Sequence, residues 1–143
     1  MTATGSLDIS PLVNAINAFA DSIEAYKEGK ENSAAKANML NTLQSGVIQN
    51  FEVTYELSWK FMKRWLEKNI NPNITLGISR KEFYRIAKEH KLISDSEKWL
   101  EFHEARNESS HTYDKETADD VLEVSFGFLG VAKEFLSTLE GKL

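Results

Sequence analysis

The chain has 143 residues, no cysteine, 17 Lys and Arg against 22 Asp and Glu, and a formal net charge of -5. This length suits one domain over residues 1–143, which can fold without disulfides by burying about two-thirds of the surface that its unfolded chain exposes. The composition excludes disulfides, thiolate metal sites and a cysteine nucleophile, and the acidic balance argues against sequence-independent coating of nucleic acid.

Apolar residues recur at intervals of three or four along most of the chain, which contains only two prolines and seven glycines. This pattern predicts an all-α fold. The first helix is expected to have Ser10 as its cap and Pro11 in its first position, and to stop at Gly29. A second helix is expected over residues 33–69. At roughly 55 Å, a helix of that length must extend past its neighbours, break near Gly46 or dimerise.

Two short helices are predicted next, each from a capping box. Ser79 with Glu82, and Ser94 with Glu97, have the three-residue spacing in which each side chain satisfies a backbone donor of the other residue. These starts give helices over residues 80–90 and 95–108.

The last helix is expected from about Thr117 to Glu140. Its apolar positions cover more than one face, which indicates burial on two sides or a place in a subunit interface. We therefore predict an antiparallel up-and-down helical bundle with three long helices and one or two short ones. Because the amino terminus lacks a secretory pattern and no apolar run approaches the roughly 18 to 20 residues of a membrane span, we expect a soluble, cytoplasmic protein without membrane contact.

The chemically richest stretch, residues 104–114, joins the last two predicted helices. On a continuous helix Arg106 and His111 would lie about 140° apart. The two serines that precede His111 predict a break after Glu108, because hydroxyl side chains compete for backbone hydrogen bonds, and a break lets His111 turn back towards Arg106. A guanidinium beside an imidazole suits phosphodiester chemistry, since arginine holds phosphate oxygens and histidine exchanges a proton near neutral pH. The alternative is an exposed loop that only confers solubility.

The other histidines and the aromatic residues of the long helix are interpreted as structural. His103 is expected on a helix surface or half-buried, and His90 at the end of a short helix, where a cation meets the helix dipole favourably. Tyr55, Trp59 and Trp65 have helical spacing and are expected in the core or a dimer interface, with no ligand.

Two motifs resemble a known family. Arg106-x-x-x-x-His111-x-Tyr113 resembles the motif of the HEPN-domain toxins of the HepT type, which are paired with a minimal nucleotidyltransferase antitoxin. Residues 48–60, IQNFEVTYELSWK, resemble the long-helix signature of nucleotidyltransferase substrate-binding subunits, a branch of the same superfamily. The two motifs occur in the expected order, and the resemblance covers most of the chain.

This resemblance implies a HEPN-like bundle and a role for each motif residue. Arg106 and His111 would form an endoribonuclease site that cleaves RNA without a metal or other cofactor, in a cleft at a homodimer interface. Asn107 matches a position that is often polar and would assist orientation. Tyr113 would accept AMP from the partner nucleotidyltransferase, which silences the toxin.

Two alternatives remain open at the level of the sequence. The upstream signature is closer to the substrate-binding branch, so the chain could be a non-catalytic subunit that helps a nucleotidyltransferase bind its substrate. It could also be a helical dimerisation module whose polar loop has no chemical role. For Tyr113 in particular, the alternative to modification is an aromatic ring packed under the loop with its hydroxyl hydrogen-bonded.

The net charge is unevenly distributed along the chain. Residues 60–91 contain nine basic and three acidic side chains, a net of +6, which leaves -11 for the rest. A basic middle segment of this kind could guide a phosphate backbone to one face of the protein. The acidic total therefore argues against indiscriminate nucleic-acid binding but leaves room for a small RNA site.

Overall fold

The computed structural model describes residues 7–32 and 34–143, and it confirms the all-α bundle. These residues contain no strand, and no helix among them is long and apolar enough to cross a membrane. A short 3₁₀ turn at Ser109–His111 follows the fourth helix. The helices, in chain order, are α1 at Ser10–Glu31, α2 at Ala37–Asn69, α3 at Arg80–Glu89, α4 at Ser96–Glu108 and α5 at Lys115–Glu140.

One aromatic core joins the helices. Helix α1 packs along α2, α5 packs against both, and α4 packs between α5 and the shorter α3. Phe128 of α5 lies at the centre, with five aromatic rings at centroid distances of 4.8 to 6.2 Å. Such ring pairs stabilise a core by about 0.5–1.5 kcal/mol each beyond the area they bury. The five rings belong to Phe19, Phe51, Tyr55, Trp99 and Phe102.

The prediction for the start of α1 was wrong by one position. Ser10 is the first helical residue, Ile9 occupies the cap position and Pro11 is second. The carboxylate of Asp8 accepts hydrogen bonds from the Ser10 N–H at 3.0 Å and from its hydroxyl at 2.7 Å. The acidic side chain therefore satisfies the helix start in place of the serine.

Of the two predicted capping boxes, the structure shows the serine half of the first, and the second is wrong. The Ser79 hydroxyl accepts from the Glu82 N–H at 3.1 Å and caps α3 as expected. For α4, however, the cap is Asp95, whose carboxylate accepts from the Lys98 N–H at 3.0 Å. Ser94 instead donates its hydroxyl to Glu134 at 3.1 Å, so a long-range contact replaces the local one.

Helices α1 and α2 differ from their predicted lengths. Helix α1 passes Gly29 and ends at Glu31; a Cβ on Gly29 would lie 2.6 Å from a methyl group of Leu43, so this glycine allows α1 and α2 to approach closely. The predicted start of α2 at Ser33 lies outside the described residues, and the helix begins at Ala37. It continues without a break through Gly46, so a break there is excluded.

Candidate functional site

The predicted break after Glu108 is confirmed, and Ser109 shows how it forms. Its buried hydroxyl lies 2.6 Å from the Arg106 carbonyl and also contacts the Glu52 carboxylate of α2. A side chain that engages the helix backbone in this way competes with continuation of the helix. The chain turns through the 3₁₀ segment and enters α5 at Lys115, two residues before the predicted start at Thr117.

Arg106 is held between two carboxylates of α2. Its NH1 atom lies 3.4 Å from an oxygen of Glu52, and its Nε lies 3.4 Å from an oxygen of Glu56. The two glutamates are one helical turn apart, and 30% of the arginine side chain remains exposed. Helix α2 therefore fixes the position of this guanidinium and compensates its charge.

His111 and Tyr113 lie on the surface beyond the end of α4. Their rings meet edge to face with centroids 6.0 Å apart, and Tyr113 is 87% exposed. The alternative in which Tyr113 packs under the loop is therefore wrong. Within residues 7–32 and 34–143, no hydrogen bond, ion pair or ring contact joins Arg106 to His111. The break brings both residues to one corner of the bundle without placing their side chains in contact.

A groove of about 520 Å³ opens beside Tyr113. It runs between α2 and the loop, and Glu52 lies in its wall, so it adjoins the carboxylates that hold Arg106. Lys115 and Gln44 donate hydrogen bonds to Asp119 and keep the pKa of that carboxyl below its usual range. Most of the side chains that line the groove are amides and hydroxyls, namely Asn41, Gln44, Ser45, Gln49, Ser109, Thr112 and Tyr113.

A second polar cluster, which we call the tyrosine cluster, lies inside the bundle and was not predicted. It consists of Tyr55, Tyr84, Arg80 and His103. The Tyr55 hydroxyl hydrogen-bonds the Tyr84 hydroxyl, lies 2.9 Å from Nδ1 of His103 and accepts from NH1 of Arg80 at 3.0 Å. Burial raises the pKa of both tyrosines, so both stay protonated at neutral pH.

His103 connects the tyrosine cluster to the surface. Burial lowers its pKa, and the positive charge of Arg80 lowers that pKa further, so the ring is neutral near pH 7. Arg80 can only donate, so we assign Nδ1 as the acceptor, with the Tyr55 hydroxyl donating to it and the ring proton on Nε2. Nε2 lies 3.4 Å from the side-chain nitrogen of Asn107, the residue after Arg106; because both atoms carry hydrogen in this assignment, they are in contact without sharing a hydrogen bond.

Helical spacing could have revealed part of this cluster. His103, Arg106 and Asn107 share a face of α4, because residues three and four apart are neighbours on a helix. The expectation that His103 is half-buried is confirmed, as is the place of His90 at the end of α3. Arg80 gave no local signal, since its contacts with Tyr55 and His103 span 25 and 23 residues.

These features define an all-helical bundle that carries the motif of Arg106, His111 and Tyr113 after its fourth helix. Residues 7–141 match the model of the family described as nucleotidyltransferase substrate binding protein like. The chain therefore belongs to this family.

Three similar proteins are informative to different degrees. Over 79 residues the chain is 44% identical to a Haemophilus influenzae protein named probable ribonuclease HepT; the match covers 54% of each protein, so the chain spans about half the length of this curated relative. A solved H. influenzae structure, described as the fold of a substrate binding domain of a nucleotidyltransferase, is 31% identical with a TM-score of 0.87, over 93% of this chain and 99% of that one. A crystal structure from Thermus thermophilus, 21% identical with a TM-score of 0.60 over 85% of this chain and 98% of that one, supports the fold alone.

Proposed function

We propose that this chain is the toxin of a type VII toxin–antitoxin pair, a metal-independent endoribonuclease that acts on RNA in the cytoplasm. Its partner is a minimal nucleotidyltransferase antitoxin, which silences it by transferring AMP to Tyr113. The observation that carries the proposal is the loop after α4, which exposes His111 and Tyr113 beside the helix end that holds Arg106. The resemblance to HepT proteins supports the same assignment.

The proposed cleavage is an attack by a ribose 2′-hydroxyl on the adjacent phosphorus. His111 takes the proton of that hydroxyl, the bond from O2′ to phosphorus forms, and the bond to the 5′ oxygen breaks; a proton returns to the leaving oxygen. Arg106 stabilises the charge that gathers on the phosphoryl oxygens. Acid–base help of this kind contributes about 10²–10⁴-fold. Asn107 would help to orient the groups, and a homodimer would complete the cleft.

The proposed silencing uses the exposure of Tyr113. Its hydroxyl loses a proton and attacks the α-phosphorus of ATP held by the nucleotidyltransferase, and pyrophosphate leaves. The adenylate adds bulk and negative charge at the mouth of the groove. Both effects oppose the approach of an RNA backbone.

The test is RNA cleavage by the purified chain in EDTA. We expect cleavage by the wild type and a loss of about 100-fold or more in His111→Ala. The matched control, His90→Ala at the end of α3, should cleave like the wild type. Persistence of cleavage in the double variant Arg106→Ala/His111→Ala would end the ribonuclease proposal.

The silencing step is tested separately by mass spectrometry. After coexpression with the neighbouring nucleotidyltransferase, the wild type should gain the mass of one or more AMP groups on a peptide that contains Tyr113. Tyr113→Phe should gain none. AMP found on another residue, or on none, would contradict the silencing mechanism while leaving the cleavage test intact.

A second candidate function is a non-catalytic substrate-binding subunit of a two-component nucleotidyltransferase. Two observations favour it: the similarity to the solved substrate-binding domain covers 93% of this chain, and Glu52 and Glu56 already occupy the guanidinium of Arg106. It predicts a stable complex with the nucleotidyltransferase and no cleavage of RNA by the isolated chain.

A further inference from the structure

Arg80 is a half-buried cation held in a fixed position. It is the first residue of α3, and its guanidinium lies over the Trp59 ring, 3.9 Å from the ring centroid. One N–H donates to Tyr55, and NH1 lies 3.4 Å from Nδ1 of His103. Stacking on an aromatic face suits a planar guanidinium and leaves its edges available for hydrogen bonds.

No carboxylate compensates Arg80. Within residues 7–32 and 34–143, its nitrogens have no carboxylate oxygen within 4.0 Å, and residues 1–6 and 33 contain no Asp or Glu. Arg106 and Arg85 differ in this respect, because Arg106 lies between two glutamates and Arg85 pairs with Glu82 at 3.2 Å. None of the Arg80 nitrogens is both buried and without a partner, so the N–H donors that the protein does not use face solvent, where an anion can reach them.

The position of Arg80 relative to Arg106 indicates which kind of anion it would bind. His103 lies between Arg80 and Asn107, with 3.4 Å on either side, so Arg80 is two side chains away from the helix turn that carries Arg106. It also lies within the basic segment 60–91, which has a net charge of +6. A chain of regularly spaced phosphates could therefore contact Arg80 and Arg106 together.

We propose that Arg80, fixed by Trp59, binds a backbone phosphate of RNA close to the one that is cleaved. This inference rests on the proposed function for the identity of the ligand. It assigns Arg80 to binding and not to the chemical step, because the acid–base groups of the reaction are elsewhere. Arginine suits this role since its fork of donors can hold two phosphate oxygens at once.

The experiment measures binding of a 2′-O-methyl RNA oligonucleotide, which the chain cannot cleave, by fluorescence anisotropy at several salt concentrations. For Arg80→Gln we expect roughly tenfold weaker binding and a salt dependence lower by about 0.7 in the slope of log K against log salt, the value for one lost phosphate contact on a single strand. The control is Arg85→Gln on the same helix, whose side chain is 64% exposed and paired with Glu82. It should bind within about twofold of the wild type.

A purely structural role for Arg80 is separated by two further measurements. Arg80→Lys keeps the charge and loses the fork, so it should bind more weakly with an unchanged salt slope, and it serves if Arg80→Gln fails to fold. Thermal unfolding of each variant shows whether weaker binding follows from lost stability. A salt slope for Arg80→Gln equal to that of the wild type would overturn the proposal, as would the absence of RNA binding by the wild type.

The outcome is independent of the cleavage test. If the wild type binds the oligonucleotide through Arg80 but does not cleave RNA, the result supports the phosphate site and contradicts the ribonuclease proposal. If the wild type cleaves RNA and Arg80→Gln equals it in affinity and salt slope, the result supports the ribonuclease proposal and contradicts the phosphate site.

Discussion

The hydroxyl of Tyr55 is the hub of the tyrosine cluster, and its removal should destabilise the protein in a characteristic way. Tyr55 and Tyr84 are both 0% exposed, and the oxygen of Tyr55 contacts Tyr84, His103 and Arg80. Tyr55→Phe retains the ring in the aromatic core but removes that oxygen. The Tyr84 hydroxyl then keeps at most the guanidinium of Arg80 as a polar neighbour.

The two single substitutions should lower the free energy of unfolding by different amounts. A buried polar group that loses its partner costs about 1–3 kcal/mol, so Tyr55→Phe should lower the free energy of unfolding by about 2–3 kcal/mol. Tyr84→Phe should cost only about 0.5–1.5 kcal/mol, the net value of one hydrogen bond, because the Tyr55 hydroxyl retains Arg80 and His103. The double variant leaves no hydroxyl unsatisfied, so it should cost about 1 kcal/mol less than the sum of the single changes.

Urea unfolding followed by circular dichroism measures these differences in a protein of this size. Tyr26→Phe is the matched control: this half-buried tyrosine packs on Phe126 at 5.9 Å, outside the tyrosine cluster, and its loss should cost less than about 0.5 kcal/mol. Because burial raises the pKa of both Tyr55 and Tyr84, the result should be the same at pH 7.5 and pH 9. Equal costs for the two single variants, or strict additivity in the double variant, would refute the hub.

Two further predictions concern His103 and Gly46. The lowered pKa of His103 means that the unfolded chain binds its proton more readily, so this residue contributes stability that is complete above the unfolded value of 6.5 and is lost as the pH falls towards the folded value. The free energy of unfolding, measured with urea, should decrease between pH 7.5 and pH 5.5 by less for His103→Asn than for the wild type. An equal decrease in the two proteins would contradict this. Gly46→Ala should raise the free energy of unfolding by about 0.5–1 kcal/mol, because a Cβ there meets no atom within 4 Å; a loss of stability would show that the glycine is needed.

The sequence predicted the order of the helices well because helical periodicity and a scarcity of breakers are properties of whole segments. Single capping residues were harder, since several polar side chains near a helix start compete for the same N–H groups. At the starts of α1 and α4 the carboxylates of Asp8 and Asp95 accept these hydrogen bonds, and the predicted caps Ser10 and Ser94 do not. The break after Glu108 was predictable because its cause, the hydroxyl of Ser109, is local.

The site was predicted in its motif but not in its contacts. Arg106, His111 and Tyr113 came from a resemblance, whereas the glutamates that hold Arg106 lie 54 and 50 residues earlier in the chain. The tyrosine cluster also depends on contacts between residues that are far apart in the chain. The packing of α4 on α2 brings His103 to the Tyr55 ring. Contacts between residues so far apart in the chain depend on how the faces of the helices pack together, and a single sequence gives no local signal for them.

The glutamates beside Arg106 bear on how the proposed ribonuclease would divide binding from catalysis. One guanidinium between Glu52 and Glu56 leaves a local net charge of -1, which weakens the attraction of this corner for the phosphates of the ground state. The same carboxylates fix Arg106, so it need not reorganise when charge develops on the phosphoryl oxygens. Binding energy would then come mainly from Arg80, and Arg106 would act mainly in the transition state, where an interaction accelerates the reaction.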